Sequence, residues 1–351
     1  MSASQVGRSR RRASPLRACH LVCETACVLA TACLDAPMNY MAARGPVADS
    51  QAKLGWWCLV ISILVVVVIG ILVLVASIRS RGRGQPHEVA RTARNAGLSW
   101  IYVGGLLVPA ILLVLTFAFT LGSLHAVAAP AQAPAATIQV IGHRWWWEVR
   151  YPGGSPAESF VTANEIHVPV GKPVRLELST ADVIHSFWIP KLAGKTDLNP
   201  GATNVAWIQA DSAGVYRGQC TEYCGVQHAN MAAFVIADPP VQYAAWVRTQ
   251  RDSAQPPGDS TAAAGRAVFE GSACASCHAI RGTRALGRVG PDLTHVASRL
   301  TLAAGTLENT RGNLAGWIAD AQALKPGNDM PTVRLSPADL HALVTYLESL
   351  K

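Results

Sequence analysis

Residues 59–78, LVISILVVVVIGILVLVASI, contain no charged side chain. Twenty such residues wound as an α-helix match the roughly 30 Å hydrocarbon core of a bilayer. In lipid a helix also satisfies every backbone amide within the segment. Trp56 and Trp57 stand at the outer end, where indole rings favour the lipid–water boundary. A second apolar stretch predicts a partner helix over 98–124, kinked at Pro109, so the hairpin reads as helices over about 54–78 and 98–124 within 35–127. Between the spans Arg79, Arg81, Arg83, Arg91 and Arg94 face a lone Glu88, and such a loop stays cytoplasmic. Everything after about residue 125 is then expected outside.

The chain of 351 residues is half apolar and carries a formal charge of +8. Ten positive charges belong to that loop and to Arg8, Arg10, Arg11, Arg12 and Arg17, so the basic balance reflects membrane topology and no nucleic-acid partner is expected. Residues 1–34 are signal-like, with Cys33 after a small residue, compatible with cleavage and lipid attachment. His20 and Glu24 interrupt the apolar part, which leaves a mis-assigned start codon as the alternative.

AAPAQAPAA at 128–136 and DSAQPPGDST at 252–261 read as linkers. From 137 to 240 short β-rich runs (TIQVI, VRLELST, HSFWIP, NVAWIQA, GVYRGQC, AAFVIA) punctuated by Gly and Pro predict a sandwich or barrel. Residues 262–351 are helical in pattern, and Ser336 before Pro337 predicts the start of a last helix over 336–350.

Two tight cysteine pairs carry the chemistry. CTEYCGVQHANM at 220–231 sets thiols at Cys220 and Cys224, an imidazole at His228 and a thioether at Met231. Soft sulfur donors select copper over hard cations. A mononuclear blue-copper site needs one thiolate; two of them, in a loop, can bridge a pair of copper ions. Each ion then wants an imidazole and a weak axial donor, and His185 in DVIHSFWIP is the second imidazole expected. A disulfide or a zinc half-site is the competing reading of the cysteines, though zinc leaves Met231 without a purpose. CASCH at 274–278 is the c-type haem attachment pattern, with thioether bonds to Cys274 and Cys277 and His278 as proximal ligand. Met330 in GNDMP is the expected sixth ligand, and His/Met ligation suits electron transfer. His295 reads as a surface residue, and His87, His125, His143, His167 and His341 as structural.

The Cys-x-Glu-x-Cys-Gly-x-x-His-x-x-Met run with its upstream His-Ser resembles the binuclear copper (CuA) motif of cytochrome c oxidase subunit II. The likeness spans about 37–240 and implies a cupredoxin-like β-sandwich with ligands His185, Cys220, Cys224, His228 and Met231. It also implies the backbone carbonyl of Glu222 as a ligand, with the Glu222 side chain on a magnesium ion shared with subunit I. In that family the first Trp of a segment like GHRWWWEVRY, here Trp145, is where electrons come in; the three Trp are expected to alternate faces along a strand. Gly290, Pro291 and Trp317 resemble class I cytochromes c, in which the proline carbonyl accepts a hydrogen bond from the proximal imidazole. The fusion is similar to the caa-type oxidases. That resemblance implies a multi-domain, two-pass protein of a bacterial inner membrane: a transmembrane hairpin, a cupredoxin domain over 137–240 and an all-α cytochrome c domain over 262–351, both on the outer face. Electrons from a cytochrome c or a bc complex would pass through haem and copper to subunit I, which reduces oxygen and pumps protons, with subunit III beside it. A copper-containing nitric oxide reductase subunit and a membrane-anchored non-catalytic cytochrome or copper protein are the alternatives. The sequence departs from the family in lacking an acidic residue between 97 and 121 and in having Ala202 where arginine is common.

Overall fold

A computed structural model describes residues 36–80 and 97–351. The expectations for 1–34, Cys33 included, and for the loop beyond Arg79 with His87 and Glu88 lie outside the described residues.

Helix α1, Pro46–Ser80, is longer than the apolar run requires. Its first two turns are not membrane-facing: Val47, Ala48 and Ala52 are buried against the β-domain. Backbone bonds tie the approach to the helix to that domain, from Arg44 to Lys191 at 2.7 Å and from Ala48 to Leu192 at 3.2 Å. Gly45 permits this approach, because a Cβ there would stand 2.0 Å from the Gln209 carbonyl oxygen. The second span is helical from residue 97, widens to a π-helical stretch over Ile101–Leu107 and continues as α2, Val108–Ala128. Pro109 therefore stands where the π-helical stretch passes into α2, and the wider π turn accommodates a residue that has no N–H to donate to the preceding turn. Trp57 Nε1 donates to Thr116 Oγ1 at 3.1 Å across the pair. Both helices are long and apolar enough to cross a membrane, and the most apolar stretch of each is unburied within the chain.

Ten strands follow: β1 Ala136–His143, β2 Trp146–Tyr151, β3 Phe160–Ala163, β4 Glu165–Pro169, β5 Val174–Thr180, β6 His185–Trp188, β7 Thr196–Leu198, β8 Asn204–Ile208, β9 Gly214–Cys220 and β10 Ala232–Asp238. They form two five-stranded sheets, β3-β2-β1-β5-β8 and β4-β10-β9-β6-β7. β1 pairs with β5, and β4 with β10, in parallel; the other pairings are antiparallel. Alternation along β1 and β5 sends Ile138, Val140, Val174, Leu176 and Leu178 into the space between the sheets, all fully buried. Each such aliphatic side chain contributes roughly 1.5–3 kcal/mol on burial. Trp147 completes this core at 0% exposure.

Helix α3, Pro240–Arg251, which the sequence reading does not anticipate, packs Trp246 on His167 and Tyr151. Then come α4 Ser260–Gly271, the single turn α5 Cys274–Cys277, α6 Arg311–Ala319, α7 Ala321–Leu324 and α8 Pro337–Glu348, with a small hairpin of β11 Thr301–Leu302 and β12 Leu307–Glu308. Asp259 caps α4 and Ser336 caps α8, each accepting from a backbone N–H of its helix's first turn. Phe269, Leu314, Ile318, Leu343 and Leu347 make this second core. The fold is thus two apolar N-terminal helices, a cupredoxin-like β-sandwich and a helical cytochrome c domain.

Two expectations need correction. Trp145 is not on a strand: it lies in the turn between β1 and β2, so the three tryptophans do not simply alternate. His295 is not a surface residue but 5% exposed, its ring nitrogens bonded to the carbonyls of Lys351 at 2.8 Å and Asp252 at 3.1 Å. Docking of the chain's C-terminal residue over it explains the burial.

Candidate metal centre and haem cavity

The β9–β10 connection folds back on itself, Cys220 N donating to Met231 O at 2.9 Å. β6 lies beside β9 with Phe187 opposite Cys220, and Thr221 N donates to Ser186 O at 3.0 Å. This register brings His185, at the start of β6, to the thiols thirty-five residues later. His185 Nδ1 is 3.8 Å from Cys220 Sγ, the two sulfurs are 3.8 Å apart, and Cys224 Sγ is 3.6 Å from His228 Nδ1 and 3.9 Å from Met231 Sδ. The carbonyl of Glu222 is 3.3 Å from Cys220 Sγ. The sulfur separation is no disulfide, which removes one competing reading. All six expected donors thus come together, and His185, Cys220, Cys224 and Met231 are buried.

Asp182 was not singled out from sequence. Its carboxylate accepts from His185 Nε2 at 2.8 Å, which leaves Nδ1 as the free lone pair toward the sulfurs. Burial opposes charge on His185, but its bonds to Cys220 and Asp182 outweigh this and raise its pKa. Cys220 is drawn down to about 4, chiefly by its neighbour Cys224, while Cys224 is pushed up by the same contact. The pair therefore shares a proton that a metal ion would displace. Two thiols, two imidazoles and a thioether in one largely buried cluster suit soft, copper-type chemistry.

In the helical unit a cavity of about 300 Å³ is lined by Cys274, Cys277, His278, Met330 and, among others, Trp317 on α6. His278 Nδ1 bonds to the Pro291 carbonyl at 2.8 Å, and burial keeps the imidazole's pKa below its usual value. A neutral ring with Nδ1–H committed to Pro291 leaves Nε2 free as a ligand. Gly290 is required here, since a Cβ would stand 2.5 Å from His278 Cε1. The thiols one turn apart, the neutral imidazole and the thioether fit a c-type haem. Arg299 lines the same cavity with a buried Nε that has no hydrogen-bond partner.

The two units meet at this cavity. Trp145, 8% exposed, lines it while its Nε1 donates to the Cys224 carbonyl at 2.9 Å. Glu165 of β4 accepts from the backbone of Leu300 at 2.7 Å and Thr301 at 3.2 Å. Burial pushes the Glu165 carboxyl up to about 7, against the pull of Arg299 and the two amides. A carboxyl raised from its ordinary 4.5 takes up a proton when the units dock, so its contribution is complete below that value and is lost as pH rises through about 7. Glu165→Gln keeps an acceptor oxygen and is expected to flatten the fall in thermal stability between about pH 5 and pH 8. An unchanged slope in that variant contradicts the assignment.

Of the histidines read as structural, His143 bonds Glu148 at 2.9 Å and His167 bonds Asp238 at 2.6 Å.

Two spans, a sandwich presenting a His/Cys/Cys/His/Met cluster and a helical unit with an attachment-type haem cavity define a membrane-anchored electron-transfer protein. Residues 154–238 match the family described as cytochrome c oxidase subunit II, periplasmic domain, and 262–351 match cytochrome c. Cytochrome c oxidase subunit 2 of Alkalihalophilus pseudofirmus is 35% identical over 330 residues, 92% of this chain and 93% of that one. The subunit 2 of Bacillus sp. strain PS3 is 35% identical over 61% of this chain and 62% of its own. A crystal structure of the periplasmic domain of subunit II of cytochrome oxidase from Bradyrhizobium japonicum covers 35% of this chain and 97% of its own at 31% identity and a TM-score of 0.33. The chain belongs to the cytochrome c oxidase subunit 2 family, and its cytochrome c domain fits it to take up electrons.

Proposed function

We propose that this chain receives electrons at its own haem and hands them through a binuclear copper centre to subunit I of a haem–copper oxidase, where oxygen is reduced to water and protons are pumped. The observation that carries this is Trp145, which walls the haem cavity with one face of its environment and bonds the copper-ligand loop at Cys224 with its indole N–H. Because the cytochrome unit buries it, Trp145 serves as the internal link rather than as a landing site for a separate cytochrome.

When bound, haem and copper supply one-electron transfer at low reorganisation cost. Cys220, Cys224, His185, His228, Met231 and the Glu222 carbonyl would hold the copper pair. Asp182 holds the His185 ring in place. The burial of the sulfurs keeps water from them. Cys274 and Cys277 would attach the haem, and His278 and Met330 would be its ligands. The Glu222 side chain would take a magnesium ion shared with subunit I. The two apolar spans support a two-pass anchor, and in this reading the chain sits in a bacterial inner membrane with both redox units outside, next to subunit I and subunit III, and takes electrons from a cytochrome c or bc complex. Fusion replaces diffusional encounter with a tethered donor of high effective concentration.

The experiment is rapid mixing of the purified oxidase with a reduced donor. The haem c band is expected to reduce first and the near-infrared copper band to follow. Copper reduction that precedes haem reduction contradicts the proposal.

A further inference from the structure

Lys325 is 2% exposed, a depth at which lysine is rare unless its charge is matched. Nζ donates to three main-chain carbonyls: Asn230 at 2.7 Å, Trp145 at 2.9 Å and Ala303 at 2.9 Å. An ammonium has three N–H donors, so all are used. The acceptors come from three places. Trp145 is in the β1–β2 turn, Asn230 is in the copper-ligand loop next to Met231, and Ala303 is in the β11–β12 turn of the cytochrome unit. Lys325 itself lies in that unit, five residues before Met330, and it lines the haem cavity. Its neighbour Pro326 accepts from Gln227 Nε2 at 2.8 Å, beside His228. A carboxylate partner would mark an ordinary ion pair; uncharged carbonyls from both units instead fix direction and spacing.

We propose that Lys325 is a positioning residue that seats the haem-holding loop on the copper-ligand loop and thereby sets the gap the electron crosses. This rests on the haem and copper assignments above. Without the ammonium, the carbonyls of Trp145, Asn230 and Ala303 lose the donor that joins them, Ala303 keeping only Thr306 Oγ1 at 2.8 Å, and the docked arrangement loses its centre while each unit keeps its own core.

The test uses the intact oxidase, with Lys325→Met and Lys325→Gln. Three amides bridge the boundary: Ala232, which donates to Ala304 O at 3.0 Å, and Leu300 and Thr301, which donate to Glu165. In Lys325→Met their hydrogen exchange is expected to speed up about tenfold or more, while the amides of β10 beyond Ala232 and those within α8 keep parental protection. Haem-to-copper transfer after photoinjection of an electron is expected to slow by about tenfold or more with both absorption bands present. Lys325→Gln, which keeps two N–H donors, should fall between. Parental exchange and transfer in Lys325→Met overturn the proposal. So does loosening of the β10 and α8 cores or loss of either band in both variants, because Lys325 would then support folding rather than seating. A parent protein without the copper band would instead overturn the site assignment, and exchange at the three amides would still decide the seating role.

Discussion

Cys224→Ser is expected to remove the near-infrared copper band and to lower donor-driven oxygen uptake by about 100-fold or more, as losing even an outer-shell partner of a metal ligand costs about 10–100-fold. Cys224 sits within 4 Å of three other donor atoms, so its loss undoes both halves of the cluster at once. A hydroxyl is nearly isosteric and can fill the same buried space, and the haem bands should be unaffected because Cys274, Cys277 and His278 belong to the cytochrome unit, which has its own hydrophobic core. Cys58→Ser provides the comparison: that thiol is exposed on α1, away from the cluster, and its replacement should leave activity at the parental level. A Cys224→Ser oxidase that keeps more than about a tenth of parental turnover is incompatible with bridging thiolates.

Cys274→Ala combined with Cys277→Ala is expected to abolish covalent haem, so that acid–acetone extraction strips the pigment from the chain. Both thiols project from one helical turn at i and i+3, and thus lie on the same side of the cavity. Uptake of oxygen from a physiological donor should fall about 100-fold or more, since binding without the thioether bonds leaves only two axial ligands and the cavity walls to hold the haem. The copper band should remain, because the sandwich has its own core and its own ligand loop. Retention of pigment through extraction in the double variant would falsify thioether attachment at these positions.

The parts of this molecule readable from sequence are those coded locally. The runs VRLELST and GVYRGQC coincide with β5 and β9, and the Ser336 cap opens α8. The donors at 220–231 share one loop, and CASCH is a single turn and its following residue, so spacing alone carries their chemistry. Two long-range pairings expected from the chemistry are close in the structure: His185 lies beside Cys220, and Met330 lines the cavity of His278. What stayed hidden depends on docking. The first turns of α1 are buried by the sandwich, not by lipid, and α3 follows from Trp246 stacking on His167. Trp145 leaves the strand to reach between two units. Lys325 and Glu165 look like ordinary surface charges until the boundary closes over them. A basic residue before a Pro-Gly turn gives no sign that three distant carbonyls await it. His295 failed for the same reason, its partners being 43 and 56 residues away.

The most direct measurement is metal analysis of the purified oxidase combined with its near-infrared absorption and copper paramagnetic resonance. The account predicts about two copper ions per chain in the outer unit, a near-infrared band, and a hyperfine pattern of one electron shared by two equivalent copper nuclei. Zinc at His185, Cys220, Cys224 and His228, or a single copper with an unshared electron, would contradict it.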